Sequence, residues 1–289
     1  MCSTMPEVWA AEERVDEDRA RRLIVAQFPE LAAAEVTLVS EGWDYAVFQV
    51  DQEWAFRFPR REAVVPGAER EIEVLPALAE RLPVGVPAPV FVGRPGQGFP
   101  WLFYGARYLP GVEATGQAVD AEALGAALRA LHAAGTVAAV GEQLPADPMG
   151  RVDMAARLPR LEELGVDAPA LVAAAQELPA ARHTAVCHGD LHMRQLLVDG
   201  GALTGVVDWV DVCRSDPAVD LSIAWSTLGA ARRPAFFAAY GEVQEETRVR
   251  ARVVAAFLCA MLADWARKER VQPVLDAAAA GLRRAIVEA

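Results

Sequence analysis

Asp190 and Asp208 each stand beside a short apolar run, a setting that can hold a loop carboxylate firmly enough to do chemistry. The first run, residues 184–187, leads into His188-Gly189-Asp190-Leu191-His192-Met193-Arg194-Gln195. A second, residues 196–198, leads out, so the polar residues fall on a tight loop between two strands. After the turn Asp199-Gly200-Gly201, a third run, residues 203–207, ends on Asp208 and brings the second carboxylate near the first loop. Paired carboxylates can divide two tasks. One holds a divalent metal through hard oxygen ligands, while the other orients a hydroxyl and accepts its proton as it attacks a phosphate.

The length of 289 residues suits one compact protein of two lobes, because single cores stop growing at about 250 to 300 residues. A net charge of -12 argues against nucleic acid or an anionic membrane as partner. It is compatible with a cationic substrate, although an acidic surface also keeps proteins in solution. The N-terminus lacks a basic start followed by an apolar core, and the longest apolar run, residues 253–263, is shorter than the roughly 20 helical residues that span a bilayer. A cytoplasmic protein is expected, a monomer or weak dimer. Cys2, Cys187, Cys213 and Cys259 show no CxxC spacing and read as buried thiols in a reducing compartment. Lys268 is the one lysine and there is no asparagine. A GK[ST] phosphate loop is thereby excluded, and any phosphates must be handled by arginine.

The elements that carry these residues follow from periodicity. Residues 15–28 have apolar positions at helical spacing. Residues 36–39, 45–50 and 54–58 read as an antiparallel meander, with a turn at 41–44 in which Gly42 alone lets the backbone approach a ligand freely. Alternation along the third strand puts Ala55, Arg57 and Pro59 on one face and Trp54, Phe56 and Phe58 on the other. A helix is predicted over 68–82, with Glu69, Glu71 and Glu73 in its first turn, where acids also favour the helix dipole unaided. Residues 84–89 are proline-held and extended, 90–93 rejoin the sheet, and 101–109 form a strand that ends at Pro110-Gly111. From Asp120 the chain turns helical, with a first helix that stops near Gly135 and others over 154–164 and 169–178. Beyond the polar loop, helices are predicted over 217–228, 232–240, 248–267 and 271–287.

HGDLHMRQLLVD, LTGVVDWVDV and SDPAVDLSIAW together resemble the catalytic segment of the aminoglycoside phosphotransferase family. The resemblance runs from about residue 36 to 225 and is strongest at the polar loop. It implies an α+β, two-lobed protein-kinase-like fold: a small antiparallel-sheet N-lobe over residues 1–109 that binds nucleotide, and a mostly helical C-lobe over 110–289. By the family's pattern, Asp190 resembles the catalytic base, Asp208 the principal magnesium ligand, and Gln195 stands in the place of a metal-binding asparagine. His188, Asp216 and Asp220 resemble the groups that support the loop. In the N-lobe, Gly42 falls in the hairpin that covers phosphates, Arg57 takes the place of the phosphate-reaching lysine, and Glu71 aligns with its glutamate partner. Arg107, Tyr108 and Leu109 fall in the linker whose backbone meets the purine. The LHAAG stretch also recurs in the family, and His132 reads as a core or capping residue.

The reaction implied is transfer of the γ-phosphate of ATP or GTP, with Mg2+, to a small-molecule alcohol. EGWDYAVF, WAFRFPRR and ERLPVGVPAP are most similar to the aminoglycoside 2''- and macrolide 2'-phosphotransferase branches. An aminoglycoside-like acceptor is favoured by Asp220, Glu242, Glu245, Glu246, Asp264 and Glu269. Trp225, Phe236, Phe237, Tyr240 and Trp265 could line an apolar pocket for a macrolide, but their helical spacing suits a core. Two readings from other classes stand beside this one. His188, Asp190, His192 and Asp208 could ligate a transition metal in a hydrolase. Alternatively, Arg57 for lysine and Gln195 for asparagine could mark a non-catalytic, pseudokinase-like binding protein.

Overall fold

The computed structural model describes residues 11–287, so Cys2 and the first residues of the N-terminus lie outside what is described. The chain divides into two compact units, one of residues Met1–Pro76 and Pro87–Tyr108, the other of Ala77–Val86 and Leu109–Ala289. A single cut after residue 109 therefore misplaces residues 77–86, which group with the second unit. The reason is local: the Gly85 N–H donates to Thr204 O at 3.2 Å and Gly85 O accepts from the Val206 N–H at 2.9 Å.

In the first unit, α1 (Glu17–Gln27) is started by Asp16, whose carboxylate accepts from the Arg19 N–H at 2.7 Å. Three strands follow, β1 (Val36–Glu41), β2 (Tyr45–Val50) and β3 (Trp54–Pro59), then α2 (Val65–Ala79), β4 (Pro89–Gly93) and β5 (Phe103–Arg107). All pairings are antiparallel, in the order β1-β2-β3-β5-β4. The alternation read in β3 holds. Phe56 and Phe58 are fully buried with Ala20, Leu23, Ile24 and Phe103, and Trp54 packs against that cluster. The rings meet edge-on or stacked, Phe58 on Phe103 at 4.6 Å and Phe28 against Phe91 at 5.1 Å, contacts that add about 0.5–1.5 kcal/mol each to area burial. The helix predicted over 68–82 starts three residues earlier, because Pro66 is tolerated in a first turn, where its missing N–H costs nothing. Glu69, Glu71 and Glu73 thus sit past the first turn, and the helix dipole does not account for them. The last strand is also shorter than expected, residues 103–107.

The second unit opens with β6 (Val112–Glu113), α3 (Ala121–Leu131), α4 (Ala134–Val140), α5 (Met154–Glu163) and α6 (Pro169–Gln176). It continues through β7 (Ala185–Cys187), β8 (Leu196–Asp199), β9 (Ala202–Val206) and β10 (Cys213–Ser215). It closes with α7 (Ala218–Leu221), α8 (Ile223–Ser226), α9 (Arg233–Tyr240), α10 (Glu245–Glu269) and α11 (Gln272–Val287). The first helix ends at Leu131, not near Gly135, because His132 caps it and turns its ring toward Asp220; Gly135 lies inside α4. The helix read over 217–228 is two short ones, broken where the Ser222 hydroxyl donates to Val219 O at 2.7 Å. β6 and β10 are too short for a sequence pattern to mark. No single helix among the described residues is long and apolar enough to cross a membrane. Cys187, Cys213 and Cys259 are buried free thiols.

Candidate active site

The polar loop leaves β7, which pairs with β10 through Cys187 opposite Cys213, and returns through β8. Gly189 has φ +92°, and a Cβ built there would lie 2.3 Å from Asp211 O, so only glycine fits. Asp220, fully buried, holds this backbone with both oxygens. Its Oδ2 accepts from the His188 N–H at 2.8 Å and its Oδ1 from the Gly189 N–H at 3.1 Å. His132 Nε2 lies 3.1 Å from Oδ2, and His132 Nδ1 lies 2.9 Å from the Tyr240 hydroxyl. Burial alone would raise the Asp220 carboxyl, but the hydrogen bond and charge of His132, with His188 behind it, hold it below the usual range. The capping role read for His132 is what the structure shows. The His188 ring packs at a tilt against Trp209, 4.7 Å between centres, and its Nε2 meets Val207 O at 3.0 Å, which ties the loop to the segment after β9 that carries Asp208.

Asp208 follows β9 in the left-handed region, φ +65°, an uncommon place for a non-glycine residue. Gln195 is buried; its backbone carbonyl accepts from the Val207 N–H at 2.9 Å, and its side-chain Oε1 has no hydrogen-bond partner. A buried amide oxygen left unpaired is a costly arrangement. It is what a hard cation would relieve, so Asp208 and Gln195 fit magnesium as an oxygen-donor set. Asp216 accepts from the Ala218 N–H at 2.9 Å and faces buried Arg250 at 3.6 Å, as a structural acid would.

Asp190 has neighbours that sequence reasoning did not name. Arg151 Nη2 lies 3.2 Å from its Oδ1 and 2.7 Å from Asp211 Oδ2. Burial would lower the Arg151 guanidinium, but these two carboxylates hold it above its ordinary value. Signals existed: Asp211 lies three residues after Asp208, and Asp147-Pro148 with Gly150 marks a turn just before Arg151. Burial pushes the Asp190 carboxyl up to about 6, with Arg151 opposing and Asp211 and Asp208 adding to the rise. His192, pushed down to about 3 mainly by burial, stays neutral.

In the first unit, Arg57 is buried on the face opposite the aromatic core. Its Nη1 pairs with Glu71 Oε1 at 2.9 Å and donates to the Tyr104 hydroxyl oxygen at 3.1 Å, while its guanidinium lies 4.0 Å from the Tyr45 ring centre. The Tyr45 hydroxyl donates to Glu71 Oε2 at 2.7 Å, and burial together with Glu71 raises its pKa. The Arg57–Glu71 pairing expected from the sequence is present. Gly42 lies in the turn between β1 and β2, where its φ is not left-handed and an added Cβ would meet only Tyr45 O at 3.7 Å. Its N–H donates to Tyr45 O and its carbonyl accepts from Arg60. In the linker, the Tyr108 N–H is spent on Glu53 O at 2.8 Å, and Arg107 lies over Trp54 and pairs with Glu53. Leu109 belongs to the second unit, its side chain near Gly85 and Gly205.

The hydrolase ligand set is not assembled. His188 is engaged by Val207 O and the Asp190 N–H, and His192 Nδ1 accepts from the Arg194 N–H at 3.2 Å. The described residues whose ligand atoms do converge are His132, Cys187 and Asp220, and these hold the loop backbone together.

The family model of the phosphotransferase enzyme family (APH) matches residues 35–254, most of the chain. The chain belongs to this family. Comparison with curated protein sequences finds no match. Among solved structures, this phosphotransferase is similar to the GDP complex of aminoglycoside 2'-phosphotransferase-IIIa, with a TM-score of 0.71 and 20% identity over 94% of this chain and 98% of that one. The apoenzyme of a macrolide 2'-phosphotransferase from Brachybacterium faecium gives 0.62 and 23% over 92% and 97%. Spectinomycin phosphotransferase with ADP and spectinomycin gives 0.66 and 12% over 93% and 99%. These likenesses fix a two-lobed, kinase-like α+β fold.

A pH dependence follows from Asp190. Because its shift is upward, the protonated carboxyl is the form the fold favours. Stability from that form is lost as pH rises through about 6, and a carboxylate able to take a proton is lost as pH falls through it. With Asp190 as the proton acceptor, the expectation drawn from the family resemblance, kcat/KM should drop about tenfold per pH unit below that point. A profile flat down to pH 5 would contradict the assignment.

Proposed function

We propose that this phosphotransferase transfers the γ-phosphate of ATP or GTP to a hydroxyl of an aminoglycoside-like acceptor. The observation that carries this reading is Asp190, a partly exposed carboxylate on a rigid loop beside Asp208 and the unpaired Gln195 Oε1. Asp190 would orient the acceptor hydroxyl and take its proton as the oxygen attacks phosphorus. Asp208 and Gln195 would hold magnesium, which when bound neutralises phosphate charge. Gln195 presents the amide oxygen of an asparagine one methylene farther out. Arg57, fixed by Glu71, would meet the nucleotide phosphates as a permanently charged guanidinium, which answers the pseudokinase reading: both acids and a phosphate-binding cation remain.

Two of the carboxylates expected to attract a cationic acceptor do not serve. Asp220 is buried under the loop, and Asp264 pairs with Lys268 at 2.7 Å. Glu242, Glu245, Glu246 and Glu269 remain exposed. Of the aromatics that a macrolide would want, two are buried, while Phe237, Tyr240 and Trp265 are half-buried. Trp225 and Phe236 are core, Phe237 is covered by Arg248 at 4.2 Å and Trp265 by Arg194 at 4.8 Å. Structures similar to this chain include complexes with GDP and kanamycin and with gentamicin, which supports the same acceptor class.

The test is a panel of aminoglycosides, macrolides and spectinomycin, each with ATP and with GTP. Aminoglycosides should be turned over with an acceptor KM that rises between low and physiological ionic strength, since charge attraction is screened beyond about 8–10 Å. Turnover of macrolides alone would replace the acceptor class. Asp208→Ala should raise the KM for magnesium-nucleotide about 100-fold and alter its magnesium dependence. An unchanged magnesium titration would remove Asp208 from the metal site.

A further inference from the structure

The geometry points to Arg151 as the positioning residue of Asp190: its guanidinium, itself held by Asp211, fixes one oxygen of the carboxylate and leaves the other for the acceptor hydroxyl. This rests on the reading of Asp190 as proton acceptor. A carboxylate on a loop can rotate about its last bond, and its two oxygens are equivalent until something distinguishes them. Here Arg151 Nη2 takes Oδ1 at 3.2 Å, while Oδ2 lies 3.9 Å from His192 Nε2, outside hydrogen-bond range. Asp211 binds the same Nη2 more closely, at 2.7 Å, so the donor atom is fixed independently of Asp190.

The backbone under Arg151 is built to deliver it. Asp147 accepts from the Arg151 and Val152 N–H groups at 2.9 and 3.2 Å, closing a tight turn. The Asp147 N–H donates to Arg214 O and the Arg214 N–H to Pro145 O, both at 2.8 Å, so this segment lies alongside β10. β10 pairs with β7, the strand that enters the polar loop. Arg151 and Asp190 therefore hang from one small sheet. Val152 is buried and its carbonyl accepts from Arg250 Nη1 at 3.2 Å, which anchors the far side of the turn. The charged and titratable groups around Asp190 are Arg151, Asp211, His188, His192 and Asp208. Arg151 is the permanent cation in direct contact with it. The contact is an ion pair through the single Nη2 that Asp211 also holds, and a neutral side chain in its place would leave the two oxygens undistinguished.

The test is a double-mutant cycle in the full chain: Arg151→Ala, Asp190→Asn and both together. Phosphoryl transfer is measured to the acceptor found by the panel or, where none is turned over, to water as magnesium-dependent phosphate release from ATP or GTP. Arg151→Ala alone should lower kcat about 10- to 100-fold with nucleotide KM changed less than about twofold. In the Asp190→Asn background the same change should cost less than about twofold, because Arg151 acts through the missing carboxylate. Guanidinium ion at low millimolar concentration should restore part of the kcat of Arg151→Ala, and Arg151→Lys should retain more activity than alanine. Equal losses in both backgrounds, or a loss carried by nucleotide KM, would overturn the positioning role. So would Arg151→Ala and Arg151→Lys failing alike without response to guanidinium, the pattern of a purely structural residue. If Asp190→Asn alone keeps activity within about threefold, the reading of Asp190 fails first and takes this inference with it.

Discussion

Asp190→Asn should lower phosphoryl transfer about 10²- to 10⁴-fold while nucleotide affinity stays nearly constant. The substitution keeps size and shape, so the Gly189 turn, the Asp220 clamp and the His188–Trp209 contact have no reason to move. What disappears is the capacity to take a proton, since an amide is not a base at any working pH. The pair with Arg151 is lost as well, which frees the guanidinium to turn wholly to Asp211. Because none of these groups binds the donor in the reading given above, the loss should fall on kcat. A variant within about threefold of the parent would remove Asp190 as the base. A loss that appears only in nucleotide KM would move it to donor binding.

Gly189→Ala should cost nearly as much for a different reason. The added methyl would lie 2.3 Å from Asp211 O, a backbone atom that cannot swing aside, in a residue whose φ of +92° already disfavours a side chain. Left-handed backbone costs roughly 1–2 kcal/mol for a residue with Cβ, and overpacking about 1–3 kcal/mol more. Relief must come from moving the loop or the segment through Asp211, and either displaces Asp190 from Arg151. A displacement near 1 Å can cost about 100-fold in rate, so kcat should fall by that order and the melting temperature by about 5 °C or more. Near-parental rate and melting temperature together would show that the turn yields more easily than the geometry implies.

The polar loop was legible in the sequence because its constraints are local. Apolar runs on both sides of residues 188–195 and the Asp199-Gly200-Gly201 turn fix a strand-loop-strand unit whose carboxylates have few places to go. The bounds of β2 match the expected residues 45–50 for the same reason, a short apolar run between turn signals. The Arg57–Glu71 pair needed the family resemblance, since nothing in the spacing of residues 57 and 71 says that strand and helix meet there. Arg151 was not found. Its partners Asp190 and Asp211 lie about 40 and 60 residues away, and they meet it only because a segment around Ala146 adds to β10 without forming a strand long enough to leave a pattern. The end of α3 was misplaced because His132 is drawn by Asp220, 88 residues further on. The excess of acids suggested a cationic acceptor but could not say that Asp220 is spent on backbone N–H groups and Asp264 on a lysine.

The arginine on β3 also determines how this enzyme would respond to chemical labelling. Amine-reactive nucleotide analogues mark kinase-like proteins by acylating the lysine that touches phosphate, and under the function proposed above that place is taken by the Arg57 guanidinium, which does not react with them. The single amine side chain, Lys268, lies exposed near the end of α10 in a pair with Asp264. A survey of cell extracts with such reagents would pass over this protein even with its nucleotide site fully competent. Dicarbonyl reagents selective for arginine would mark exposed residues such as Arg22, Arg267 and Arg270, but Arg57 is covered by Tyr45 and tied to Glu71 and reacts only when that packing opens. The rate at which such a reagent modifies Arg57, read by peptide mass, becomes a measure of how often the β3–α2 contact breathes, and bound nucleotide should slow it.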